Sequence, residues 1–185
     1  MIKIGILASH NGSGFEAIHK ACLQKRLNAE VTLVISNNTN AVALQKAQKY
    51  GLKNALVNSK TDDNPDEKIY SLLKEHDCEY VFLSGYMKKI SPKITNNFKL
   101  INSHPALLPN YGGAGMYGRF VHEAVIKNGE KVSGVTIHEV NENYDEGKVI
   151  LQKELRLSEN ETVETLETKI KELEQIAIIE ALQNV

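Results

Sequence analysis

A short, nearly continuous apolar run, IKIGIL at residues 2 to 7, leads into a polar stretch with two glycines. FEAIHKACLQKRL follows, in which Phe15, Ile18 and Cys22 recur at helical spacing. The predicted unit is strand, loop, helix. It recurs as EVTLVIS (30 to 36) before AVALQKAQKYG, NALVN (54 to 58) before PDEKIYSLLKEH, and YVFLSG (80 to 85) before SPKITNNF. Strands alternating with helices imply an α/β architecture, a mostly parallel sheet with helices on both faces. KLIN (99 to 102) is a further strand; a long loop then runs to about Gly118, and RFVHEAVIKNG reads as a helix stopping at Gly129. There the pattern changes. VSGVTIHEV and VILQKELRLS are strands joined only by a turn-rich connection, which predicts an antiparallel edge. A last helix of about 20 residues carries Val163, Leu166, Ile170, Leu173 and Ala177 on one face, with Ser158 and Glu161 spaced as a capping box.

The 185 residues suit one domain, 1–185, with a substantial core, and neither a linker nor an internal repeat interrupts the pattern. Lys plus Arg number 22 against 23 Asp plus Glu, so the chain lacks the basic footprint expected of a partner for nucleic acid or an anionic membrane. Small-molecule partners are expected instead, with the chain acting as a monomer or homodimer. Cys22 and Cys78 stand far apart without ligand spacing and read as buried thiols of a reducing compartment. No apolar run approaches the roughly 20 residues of a membrane span, and MIKIGILAS lacks the basic start of a signal peptide, so a cytoplasmic location is expected.

Ligands of such sheets bind beyond the carboxyl ends of the strands, which directs attention to three segments. In SHNGSGFEAI (9 to 18), glycines at a helix start would let backbone N–H groups approach a phosphate. Gly12, Gly14 and Ala17 also satisfy a dinucleotide fingerprint. The next strand, however, ends VISNNTN with no acid to hold a ribose, which disfavours a nicotinamide cofactor. In INSHPALLP (101 to 109), Asn102 and His104 lie one residue apart in extended chain and can point to one spot, with Ser103 opposed. In NENYDEGKVI, Asp145 occupies a turn. Each has a plain structural explanation alone: a tight turn, a strand end satisfying backbone groups, a turn aspartate. Together, an amide, an imidazole and a carboxylate suit acyl transfer through a developing oxyanion. The set lacks a covalent nucleophile, since there is no G-x-S-x-G. No metal is expected: His10, His19, His76, His122 and His138 show no pairing at ligand spacing and read as structural or exposed.

NGSG after the first strand, SGYMKKISP after a later one, NSHPALLP and YDEGKVILQ together resemble the folate-dependent formyltransferases over nearly the whole chain. The most specific parts are Asn-x-His-Pro with LLP and the Asp-x-Gly about forty residues later; the NGSG loop and the single-domain length match the purine branch of that family. The resemblance implies a Rossmann-like formyltransferase fold. It also implies transfer of a formyl group from the co-substrate 10-formyltetrahydrofolate to the amine of 5'-phosphoribosylglycinamide in de novo purine biosynthesis. Asn102 and a protonated His104 would then stabilise the developing oxyanion, with Asp145 holding the imidazolium and helping a proton shuttle. By the same resemblance Gly12, Ser13 and Gly14 form a phosphate loop, and Lys171 and Glu174 approach the ribonucleotide. Met87, Lys88, Lys89 and Ile90 line the pterin pocket with Asn102, and Asn141, Glu142, Asn143, Tyr144 and Asp145 close over the ring.

Three positions depart from the family pattern: Gly14 where the loop usually ends in Asn, Ala114 where many relatives carry Lys, and KTDDNPDE without the Arg some use near the folate. The glycine-rich GGAGMYG (112 to 118) reads either as a mobile lid or as a solvent loop. Competing functions are formyl transfer to methionyl-tRNA or a nucleotide sugar, and a non-catalytic nucleotide-binding module. The first usually brings an extra domain, and the last would leave Asn102, His104 and Asp145 without a joint role.

Overall fold

The structure is a computed structural model describing residues 1–185. In chain order the elements are β1 (Ile2–Leu7), α1 (Ser13–Leu23), β2 (Ala29–Ser36), α2 (Val42–Lys49), β3 (Asn54–Leu56), α3 (Pro65–Glu75), β4 (Tyr80–Leu83), α4 (Pro92–Thr95), β5 (Lys99–His104), α5 (Arg119–Lys127), β6 (Val132–Glu139), β7 (Val149–Arg156) and α6 (Val163–Gln183). The seven strands form one mostly parallel sheet in the order β3-β2-β1-β4-β5-β6-β7, its antiparallel edge made by β7. Compact packing divides the chain into two units, Met1–Ile101 and Asn102–Val185.

In the first unit β1 pairs in parallel with β2 and β4, and β2 with β3. Ile4, Ile6, Leu7, Val34, Ile35, Val81 and Phe82 are buried, which is why these strands read as continuous apolar runs rather than alternating ones. From α1, Phe15 and Ile18 are fully buried, each worth about 1.5–3 kcal/mol relative to exposure. Asn64 caps α3 by accepting the Glu67 N–H, and Pro65 occupies its first turn. Past the strand ends, buried Ser9 ties three segments together: its hydroxyl donates to Asn37 Oδ1 (2.6 Å) and accepts the Met87 N–H (2.8 Å), while its carbonyl accepts from Asn38 Nδ2 (2.6 Å).

In the second unit β6 and β7 pair antiparallel from Val132 opposite Arg156 to His138 opposite Val149, with an irregularity between Ile137 and His138. The segment after β5 is pinned by a buried hydroxyl: Thr136 Oγ1 donates to the Ala106 carbonyl (2.7 Å) and accepts the Leu108 N–H (3.0 Å). Gln152 Nε2 adds a bond to the Leu108 carbonyl (2.9 Å). Helix α6 buries Leu166, Ile170 and Ala177, as its apolar face predicts. Its capping box, however, is Thr162 with Thr165 rather than Ser158 with Glu161. The Glu161 carboxylate instead accepts from Ser158 and Lys169, so the helix begins one turn later. Cys78 is buried as expected, but Cys22 is only half-buried.

Candidate active site

Strand β5 continues past Asn102 to His104, and the alternation of extended chain separates its polar residues as expected. Ser103 turns toward α6, where its hydroxyl donates to Glu174. Asn102 and His104 belong to a different group, completed by His138 of β6 and Asp145 of the following turn. Asn102 Nδ2 lies 3.2 Å from His138 Nε2. His138 Nδ1 lies 2.8 Å from the Glu139 carbonyl, which can only accept. Nδ1 therefore carries a hydrogen, and in the neutral ring Nε2 is the acceptor for the Asn102 amide. The second amide proton of Asn102 stays available.

His104 is 3% exposed. Its Nε2 stands 2.7 Å from the Tyr111 carbonyl and so carries the hydrogen. Its Nδ1 faces Asp145 Oδ2 at 3.5 Å. Asp145, in the left-handed region at φ 59°, also receives the Gly113 N–H on Oδ2 (2.9 Å) and presents Oδ1 to His138 Nε2 at 3.5 Å.

The electrostatics of the pair act in opposite senses. Burial drives the His104 imidazole below its ordinary value; Asp145 and the Tyr111 carbonyl pull it upward without prevailing, and His138 adds to the lowering. Burial raises Asp145, yet His138, His104 and the Gly113 N–H outweigh that and hold its carboxyl below the usual range. The ring thus has an acceptor opposite each nitrogen, the Tyr111 carbonyl at Nε2 and the Asp145 carboxylate at Nδ1. The 3.5 Å separation at Nδ1 is long for a charge-assisted bond.

Of the expected acceptor-binding residues, Gly12, Ser13 and Gly14 open α1, with Gly12 at φ 64°. A Cβ at Gly12 would stand 2.9 Å from Ala43, so glycine is required there by both conformation and space. The N–H groups of Ser13 and Gly14 have no acceptor within the helix, whereas that of Phe15 is taken by Ser84 Oγ at 3.0 Å. Glu16 would oppose an anion here, but Lys46 and Lys20 neutralise it and hold its carboxyl down at about 2. Glu174, expected to approach the ribonucleotide, is half-buried, and burial raises its carboxyl against the Ser103 bond; Lys171 is exposed and paired with Glu167 at 2.6 Å.

Of the expected donor-binding residues, Lys88, Lys89 and Ile90 line a cavity of about 510 Å³ in the first unit together with Val57, Ile69 and Tyr86, and Met87 is not on its wall. Burial pushes the Tyr86 phenol up to about 12, so it remains a neutral donor. Asn141, Glu142, Asn143 and Tyr144 are exposed, their turn closed by an Asn143 N–H to Asn141 Oδ1 bond at 2.9 Å. The sequence missed His138. A histidine two residues after buried Thr136 on the same strand carried a weak signal, alternation toward one face.

A family model described as formyl transferase matches residues 2–182. Among curated proteins, the chain is 32% identical over 179 residues to phosphoribosylglycinamide formyltransferase of Bacillus subtilis, covering 94% of this chain and 89% of that protein. It is 34% identical over 175 residues to the chloroplastic protein of the same name from Arabidopsis thaliana, covering 91% of this chain and only 60% of that protein's length. Among solved structures, glycinamide ribonucleotide transformylase 1 from Symbiobacterium toebii superposes with a TM-score of 0.91 at 30% identity, over 99% of this chain and 86% of that one. With its strand order, its Asn102, His104 and Asp145 group and these matches, the chain belongs to the formyl transferase family.

Proposed function

We propose that the protein transfers a formyl group from 10-formyltetrahydrofolate to the amine of phosphoribosylglycinamide, a step of purine biosynthesis. The observation that carries this is the group formed by Asn102, His104 and Asp145: an amide with a free N–H, an imidazole whose Nε2–H bonds the Tyr111 carbonyl, and a carboxylate facing its Nδ1. It is equipped to stabilise an oxyanion and move a proton. The names of relatives, including the trifunctional purine biosynthetic protein of Gallus gallus, support the acceptor and the pathway.

The acceptor amine is the nucleophile. As its nitrogen bonds to the formyl carbon, the second Asn102 N–H donates to the oxygen that gains charge. His104 Nδ1 takes the proton the nitrogen sheds, directly or through a water, and the imidazolium that results is stabilised by Asp145. His104 then gives that proton to the departing folate nitrogen as its bond to the formyl carbon breaks. Drawn this way, the transfer uses no metal.

The binding elements fit the two substrates. The Gly12–Gly14 turn offers two N–H groups and a neutralised Glu16 to a phosphate. The cavity at Lys88 and Lys89 sets Val57, Ile69, Ile90 and Ile94 beside the amides of Asn37, Asn38 and Asn58 and the Asp66 carboxylate, a lining that suits a flat ring system with hydrogen-bonding edges, and its size lies in the usual range for ligand sites. The test is to supply the formyl donor with either phosphoribosylglycinamide or charged initiator tRNA. Formylation of the ribonucleotide alone is expected; formylation of the tRNA, or of neither, refutes the assignment.

A further inference from the structure

Residues 111 to 113 grip both members of the catalytic pair from one side. The Tyr111 carbonyl receives His104 Nε2–H at 2.7 Å, and the Gly113 N–H donates to Asp145 Oδ2 at 2.9 Å. Between them Gly112 lies so close that a Cβ there would stand 3.3 Å from Asp145 Cβ and 2.5 Å from Leu108 Cδ2. Tyr111 itself sits at φ 57°, a left-handed conformation that a non-glycine residue disfavours and that persists only where the surroundings enforce it. The enforcing contacts are at its other end. The Tyr111 hydroxyl donates to Glu130 Oε1 (2.6 Å) and accepts from Asn128 Nδ2 (2.9 Å), both in the turn that follows α5.

We propose that Tyr111 is a positioning residue for the transfer: anchored by its hydroxyl to the turn at Asn128 and Glu130, it holds its carbonyl on His104 Nε2 and thereby keeps Nδ1 bare toward Asp145. The chemistry makes this consequential. A neutral imidazole has one N–H, and a carbonyl at Nε2 draws it there, leaving Nδ1 as the acceptor the proton relay needs. Without that carbonyl, the hydrogen would move to Nδ1 and bond to Asp145, closing the base. Tyr111 differs from a general loop anchor because it acts on one ring nitrogen.

The charged and titratable groups facing His104 are Asp145, His138 of β6 and His122 of α5. Tyr111 adds an upward pull on the imidazole, so loosening its carbonyl moves the protonation midpoint to lower pH. The proposal rests on His104 being catalytic, and the experiment separates the two. Tyr111→Phe removes the hydroxyl anchor alone. Tyr111→Gly removes the side chain and both hydroxyl bonds while relieving the backbone strain, and circular dichroism checks that each variant is folded. Glu130→Ala removes the acceptor, and Glu130→Gln retains one. The pH profile of kcat/KM is measured for each, beside His104→Ala. Tyr111→Gly should lose about tenfold to a hundredfold in kcat, the cost of misplacing a reacting group by an ångström or less, with KM little changed and the acidic limb moved to lower pH. Tyr111→Phe and Glu130→Ala should fall severalfold with the same shift of the limb, and Glu130→Gln should restore most of the loss. If His104→Ala is crippled while Tyr111→Gly keeps the wild-type kcat and profile, the positioning role is wrong. If His104→Ala is itself fully active, the catalytic assignment falls and takes this role with it.

Discussion

Replacing Asp145 by asparagine removes a full charge while keeping the shape and an acceptor for the Gly113 N–H. The lost charge faces His104 Nδ1 at 3.5 Å from a side chain only 12% exposed. A charge pair near 4 Å is worth on the order of 4 kcal/mol at an effective dielectric of about 20, and that much transition-state stabilisation is roughly a thousandfold in rate. The amide dipole recovers part of it, so Asp145→Asn should lower kcat by about a hundredfold to a thousandfold with modest change in KM. His104→Ala should lose about as much. Two independent losses of about a hundredfold would multiply to roughly ten-thousandfold, whereas a relay that fails as a unit leaves the double variant near the worse single, a coupling of about 2.7 kcal/mol. The assay is kcat at one pH and saturating substrates for the four proteins, with folding checked by circular dichroism. A near-active Asp145→Asn, or losses that multiply, would show that the pair does not act together.

Gly12→Val should raise KM for phosphoribosylglycinamide tenfold or more while leaving that for the folate nearly unchanged, because the new Cβ meets Ala43 and closes the backbone approach; equal movement of both constants in steady-state kinetics would count against a phosphate loop. His138→Ala should cut kcat about tenfold to a hundredfold by leaving the Asn102 amide without its acceptor, and His138→Gln, which keeps one, should recover part of that; identical rates for the two would separate His138 from Asn102. Glu16→Gln should destabilise the fold at neutral pH by about 1 kcal/mol or less for each lost ion pair. Its folded carboxyl is depressed from 4.5 to about 2, so the stabilisation is present above about 4.5 and fades as pH falls toward 2. Urea melts across that window should show the two proteins converging in acid; a constant gap would contradict the ion pairs.

Period and alternation were enough for most of the architecture, because buried parallel strands and amphipathic helices carry their environment in each residue. Alternation alone also separated Ser103 from Asn102 and His104. The start of α6 was less legible, since SENET offers several capping side chains and only the structure shows Thr165 closing on Thr162. His138 was passed over because its role depends on hairpin register: pairing with β7 and the irregularity after Ile137 set it beside a turn aspartate, and neither is local. The downward pull on the His104 imidazole was illegible for a similar reason, burial being a property of the assembled fold. Tyr111 acts through its main-chain carbonyl, which every residue possesses, so no residue type could have announced it.

The central claim is direct transfer, in which the acceptor amine attacks the formyl carbon and no side chain carries the group. A single turnover with enzyme in excess, using donor labelled at the formyl carbon and quenched at intervals, tests it: the label should pass to phosphoribosylglycinamide with none bound to the protein at any time, and much more slowly with His104→Ala. Label attached covalently to the protein before product forms, or transfer unaffected by His104→Ala, would contradict it.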